Sequence, residues 1–371
     1  MDTPIISVGA IAALGFGLGT AFGLVGARTH FCTLGAISDI LNIGSWTRMR
    51  MWLLAIGVAI LGVWALELAG LVSTSRSLYS GNRLPWLSHL VGGLLFGVGM
   101  TLASGCTSKT LIRLGGGNLK SVLVFLVVGI SAYMTLKGLF GVWRTATVDQ
   151  VVIDLGTSQE LPTLFATWMG ADAAVLNRWL PPLIGLALVF AALVSREIWR
   201  DEPSAIAGGL LIGLIVVGGW YVTGHIGFVE EHPETLEAAY IGTQANRPES
   251  LSLVAPFAYT LELLMLWSDK SRHITFGIAT AIGMVAGALV WALATRSWRE
   301  EVFPDGTDFR RHLLGGVFMG AGGVTALGCT VGQGLTGLST LSLGALITTV
   351  AIIAGCVITM KIDLWRMMRE A

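Results

Sequence analysis

Three cysteines in this chain are each followed by threonine, and each falls where an apolar run is interrupted: Phe31-Cys32-Thr33, Gly105-Cys106-Thr107 and Gly328-Cys329-Thr330. A thiol in a weakly hydrated setting stays protonated, because burial disfavours the thiolate. It then offers a soft, weak S–H donor, and the threonines beside it add hydroxyls. A row of neutral donors suits a large, polarizable anion that must be held and then let go, since conduction needs binding that is adequate yet escapable. No lysine or arginine is read well inside an apolar run. Lys109 and Arg113 are the nearest. The four cysteines form no CxxC pair and no Cys/His cluster at zinc spacing, so no metal, no cofactor and no thioredoxin-type chemistry is expected. Cys356, inside AIIAGCVITM, reads as a small apolar filler.

The elements that must position these thiols are membrane helices. The chain is 54% hydrophobic and 12% charged, against about 25% charged in an ordinary soluble domain. Its formal net charge is zero, so no nucleic-acid partner is expected. Nine stretches approach the roughly 20 apolar residues needed to cross a bilayer, near 5–26, 51–72, 86–105, 119–142, 179–195, 205–222, 274–294, 312–328 and 341–361. The fold class is therefore an all-α polytopic membrane protein. With the N-terminus outside and the C-terminus in the cytoplasm, most Lys and Arg fall in cytoplasmic segments. Trp46, Trp52, Trp86, Trp143, Trp179, Trp199, Trp298 and Trp365 read as an interfacial belt. Glu67 and Glu262 lie near span ends, where a carboxylate either reaches water or carries function.

An internal repeat organises the chain. HLVGGLLFGVGMTLASGCT from His89 aligns without a gap on HLLGGVFMGAGGVTALGCT from His312, with ten of nineteen positions identical. These are the third and eighth spans, which cross in opposite directions. We therefore expect inverted repeats, 1–145 (spans one to four) and 204–371 (spans six to nine), joined by 146–203, an outer loop and the fifth span. Inverted repeats of this kind place a binding site near the midplane at their interface.

The polar stretches after Cys106 and Cys329 are expected to enter the membrane partway, one from each face, because irregular backbone at that depth must be buried or line a wet cavity. A third such segment follows the first span at Cys32. Gly105 and Gly328 are expected to permit a turn that a side chain would obstruct. A short helix starting after each cysteine would favour an anion beside the thiol. Gln333, Ser108, Ser339 and Thr340 either line a path or satisfy backbone groups.

These residues resemble the YeeE/YedE family of bacterial inner-membrane sulfur transporters. The paired GCT motifs, HFCTLGAISD and the glycine-rich nine-span layout carry the resemblance. It implies an hourglass shape narrowed by short re-entrant helices, and import of thiosulfate or a similar sulfur anion by transient hydrogen bonds to a row of thiols. Carried over residue by residue, those thiols are Cys32, Cys106 and Cys329. It also implies a small soluble sulfur carrier of the TusA type on the cytoplasmic side. Two alternatives stay open, a membrane thiol–disulfide oxidoreductase and a transporter of a selenium-containing anion.

Overall fold

The computed structural model describes residues 7–195, 198–199, 203–231, 236–269 and 272–370. It is predominantly helical, with two small antiparallel pairs of strands, Arg83–Leu84 with Ile153–Asp154 and Phe228–Val229 with Ala239–Tyr240. Eight of its helical segments are long and apolar enough to cross a membrane, among the described residues. The main crossing helices are α1 (Val8–Thr29), α3 (Thr47–Leu68), α4 (Trp86–Leu102), α6 (Leu119–Lys137), α9 (Ala173–Leu193), α10 (Pro203–Tyr221), α12 (Phe276–Ala294) and α14 (Leu343–Glu370). Shorter helices lie between them: α2 (Thr33–Asn42), α5 (Thr107–Gly115), α7 (Leu139–Ala146), α8 (Leu161–Met169) and α11 (Val254–Met265). The stretch expected near 312–328 forms α13 (Gly306–Thr325). Asp308, Arg310 and Arg311 in its first turns make it less apolar than the eight.

Side-chain caps fix several starts. The Ser7 hydroxyl accepts the Ala10 N–H at 3.3 Å and opens α1, Asn118 accepts the Ser121 N–H at 3.0 Å and opens α6, and Asp305 accepts the Asp308 N–H at 2.7 Å and opens α13. Each satisfies a donor that the first helical turn leaves unpaired.

Glycine contacts give the helix directions. A Cβ on Gly92 would lie 2.7 Å from the Gly322 carbonyl oxygen and one on Gly322 would lie 2.7 Å from that of Gly92; Gly99 and Gly315 face each other with the same 2.7 Å both ways. Early α4 therefore meets late α13 and late α4 meets early α13, so the two run antiparallel. In the sequence alignment Gly92 matches Gly315 and Gly99 matches Gly322, so a two-fold exchange maps this contact onto itself. The next layer obeys the same exchange. Gly93 and Gly97 of α4 face Ala351 and Ile352 of α14, while their matches Gly316 and Gly320 of α13 face Val127 and Val128 of α6. Such bare backbone lets helices approach closely in lipid. Cys356 sits in the α4–α14 seam, its backbone nitrogen 2.8 Å from where a Cβ on Gly97 would be.

Two further apolar stretches between the crossing helices form α8 and α11, the latter with Phe257 and Ala258 buried. Glu262 on α11 is buried and ion-paired to Lys137 at 2.9 Å and Arg272 at 3.2 Å, which gives it a structural partner rather than an open path.

Candidate functional site

The three cysteine turns are built alike. Each long helix ends in a residue with left-handed backbone: His30 (φ 52°), Ser104 (φ 55°) and Leu327 (φ 59°). The next residue donates its N–H back across the helix end, Phe31 to Gly26 O at 3.2 Å, Gly105 to Met100 O at 2.9 Å and Gly328 to Gly323 O at 2.8 Å. This is the bonding of a Schellman cap. The cysteine follows at once. The turn expected of Gly105 and Gly328 is thus made by the residue before each of them, and a phenylalanine occupies the matching place at 31. The glycines serve close approach instead: a Cβ on Gly105 would lie 3.1 Å from Lys109 Cγ, and one on Gly328 would lie 3.0 Å from Gln333 Cγ.

Each thiol then sits at the start of a short helix. Cys32 Sγ accepts the Gly35 N–H at 3.5 Å on α2. Cys106 Sγ faces the Lys109 backbone N–H on α5, and Cys329 Sγ accepts the Gly332 N–H at 3.4 Å where a π-helical turn, Gly332–Gly337, begins. The Cys32 and Cys329 bonds span three residues, as a helix N-cap requires. There the sulfur lone pair is used by the backbone, which leaves the S–H proton to point elsewhere. The positive helix end beside it favours negative charge.

These turns, far apart in sequence, converge. The Cys32 and Cys106 side chains are neighbours, and Thr330 lies close to Cys106 without a hydrogen bond to it. All four cysteines are buried and free. Ser108 Oγ lies 3.1 Å from Cys106 Sγ. The three threonines share one further property: Thr33 Oγ1, Thr107 Oγ1 and Thr330 Oγ1 are buried without a hydrogen-bond partner. An unsatisfied buried hydroxyl costs about 1–3 kcal/mol, and three of them stand at matching positions beside the cysteines.

Thr33 and Thr330 also border a largely apolar cavity of about 350 Å³ between α3, α9 and α14, which Trp52, Ser342 and Thr349 line as well. On the α8 side, a smaller pocket of about 180 Å³ is lined by Glu67, Thr74, Glu160, Ser339 and Thr340. Burial pushes the Glu160 carboxyl above its ordinary value, against the Ser80 hydroxyl that stabilises its charge. Gln333 donates from Nε2 to Ala326 O at 2.8 Å, Ser339 to Thr336 O at 2.6 Å and Thr340 to Gly337 O at 2.8 Å. These three satisfy backbone.

Two residues depart from the sequence reading. Trp52, expected in the interfacial belt, is buried and stacks on Phe31 with ring centroids 4.4 Å apart. Its place beside Arg48 and Arg50 made it look like a membrane-surface residue. Lys109, taken as lying on the cytoplasmic approach, has its side chain within electrostatic reach of Cys32 and Cys106. The row of thiols is therefore not free of fixed charge. Spacing gave a signal here, because Lys109 is the third residue after Cys106 and follows it round the first helical turn.

Helices long and apolar enough to cross a membrane, packed antiparallel through bare glycine backbone, define an all-α polytopic membrane protein. The chain belongs to the sulphur transport family, whose sequence model matches residues 28–358. It is 27% identical over 330 residues to the thiosulfate transporter TsuA of Escherichia coli, covering 85% of this chain and 84% of that one. It is 24% identical over 339 residues to the thiosulfate transporter TsuA of Spirochaeta thermophila, covering 91% and 94%.

Proposed function

We propose that this protein imports thiosulfate, or a closely similar sulfur-containing anion, across the bacterial inner membrane, and that it is a transporter rather than an enzyme. The anion is handed from Cys329 to Cys106 to Cys32 by transient S–H hydrogen bonds, with Thr330, Thr107 and Thr33 completing its shell and Gly328 and Gly105 letting side chains close over the turns. The N-terminus is periplasmic and the C-terminus cytoplasmic. Residues 1–145 and 204–371 act as inverted halves around this path, joined by 146–203. A TusA-like soluble carrier receives the sulfur on the cytoplasmic side.

What supports this reading is the proximity of Cys106 to both Cys32 and Thr330, and Cys106 is taken as the middle of the three stations. Neutral thiols bind a dianion weakly enough to release it, whereas a cage of cations would trap it. The test is growth on thiosulfate as sole sulfur source. Cys106→Ala and Cys329→Ala should abolish growth while the proteins still reach the membrane, and normal uptake in either would remove the mechanism.

The adjacency of Cys32 and Cys106 also favours a second reading, thiol–disulfide exchange with a redox partner. Cys106→Ser separates the two. A hydroxyl still donates a hydrogen bond, so partial transport survives, whereas disulfide chemistry disappears. Competition by selenium-containing anions in the same uptake assay decides the substrate.

A further inference from the structure

We propose that Lys109 is the charge partner of the transported anion at the Cys106–Cys32 station. The inference rests on the reading that an anion passes these thiols. Taking an ion from water into a low-dielectric interior carries an idealised penalty on the order of 20 kcal/mol, and neutral donors offset only part of it. A nearby opposite charge offsets far more.

Three cations near the Cys32 and Cys106 turns are committed. Arg28 lies 5.8 Å over the Trp291 ring, Arg48 pairs with Asp39 at 3.3 Å, and Arg113 donates to the Ser104 carbonyl at 2.9 Å. Lys109 is half-buried, and its ammonium has neither an ion pair nor a hydrogen bond among the described residues. Gly105 makes its placement possible. A Cβ there would lie 3.1 and 3.2 Å from Lys109 Cγ and Cβ, so the lysine stem crosses bare backbone at the cysteine turn.

The other copy of the repeat provides an internal comparison. Over Gly328 the crossing side chain is that of Gln333, with its amide tied to Ala326 O. In the repeat alignment Lys109 matches Gly332 and Gln333 matches Thr110, so the side chain over the cysteine turn is an ammonium in one copy and, from the neighbouring position, a neutral amide in the other. An anion dwells longer on the Lys109 side, and the partial exposure of that ammonium to water and salt screens the attraction enough for release.

The test uses the full-length protein in proteoliposomes with radiolabelled thiosulfate, together with thermal stabilisation of the purified protein by thiosulfate. Lys109→Gln should raise KM about tenfold, a loss of roughly 1.4 kcal/mol in affinity, and abolish the stabilisation. Lys109→Arg should keep both within about twofold. The wild-type KM should also rise with ionic strength, a measurement that needs no variant. A wild-type KM and stabilisation in Lys109→Gln, or a KM indifferent to salt, would overturn the proposal. The outcomes separate from those of the thiol path: Cys106→Ala should lose transport yet still be stabilised by thiosulfate through Lys109. Normal transport by Cys106→Ala sinks the thiols and leaves Lys109 standing.

Discussion

Thr330 lies close to Cys106, although the two belong to opposite copies of the Gly-Cys-Thr repeat. Antiparallel packing puts the C-terminal ends of α4 and α13 at opposite ends of the pair, so the two copies meet at a shared centre through the segments that turn back after each helix. Two segments placed symmetrically about that centre touch there.

The orphan hydroxyls at this centre predict an unusual split between stability and function. Thr33→Val, Thr107→Val or Thr330→Val removes a buried group that has no partner and keeps nearly the same shape. Melting temperature should hold or rise, while thiosulfate uptake falls about fivefold to tenfold through loss of a hydrogen bond to the guest. Thermal unfolding and uptake on the same preparations check both halves of the claim.

The glycine seam predicts the opposite split. A valine at Gly99 would drive its Cβ to within 2.6 Å of the Met319 backbone nitrogen, and backbone cannot swing aside as a side chain can. Gly99→Val should destabilise by about 1–3 kcal/mol or more, seen as low yield of monodisperse protein in detergent. Gly17→Ala is the control. Nothing lies within 4 Å of a Cβ at that position, so the protein should behave as wild type.

The Schellman caps predict a small gain. Ser104 is exposed and holds a left-handed φ of 55°, which costs a non-glycine residue about 1 kcal/mol. Ser104→Gly should raise stability by roughly that amount, and it keeps the carbonyl that receives Arg113. An unchanged or lowered melting temperature would count against the strain argument.

Glu249, in the loop before α11, sets a pH dependence. Burial pushes its carboxyl from 4.5 up to about 7. The folded state therefore binds this proton more tightly than the unfolded chain does. Its contribution to stability is fully present below about pH 4.5 and is lost as pH rises toward about 7. Melting temperature should fall across that window, and Glu249→Gln should flatten the fall. An equal slope in both proteins would reassign the effect to another group.

Much of this was legible in the chain. Membrane helices announce themselves because bilayer thickness imposes a minimum apolar length, and the repeat announces the two-fold because matching sequence folds into matching helices. The thiols stood out through their shared threonine and their place at helix breaks. Other features were decided by packing between distant segments. The left-handed caps fall on His30, Ser104 and Leu327, three residues with no common chemistry, because the cap is a property of backbone path. Trp52 left the interface because Phe31 offered it a stacking face, and α13 lies among spans despite three early charges because α4 and α6 present glycine and small-residue faces to it. Lys109 came within reach of Cys32 only when two helix ends converged. Hydrophobic length and local spacing are written residue by residue along the chain, whereas convergence is a relation between segments that the bilayer and the helix contacts alone bring together.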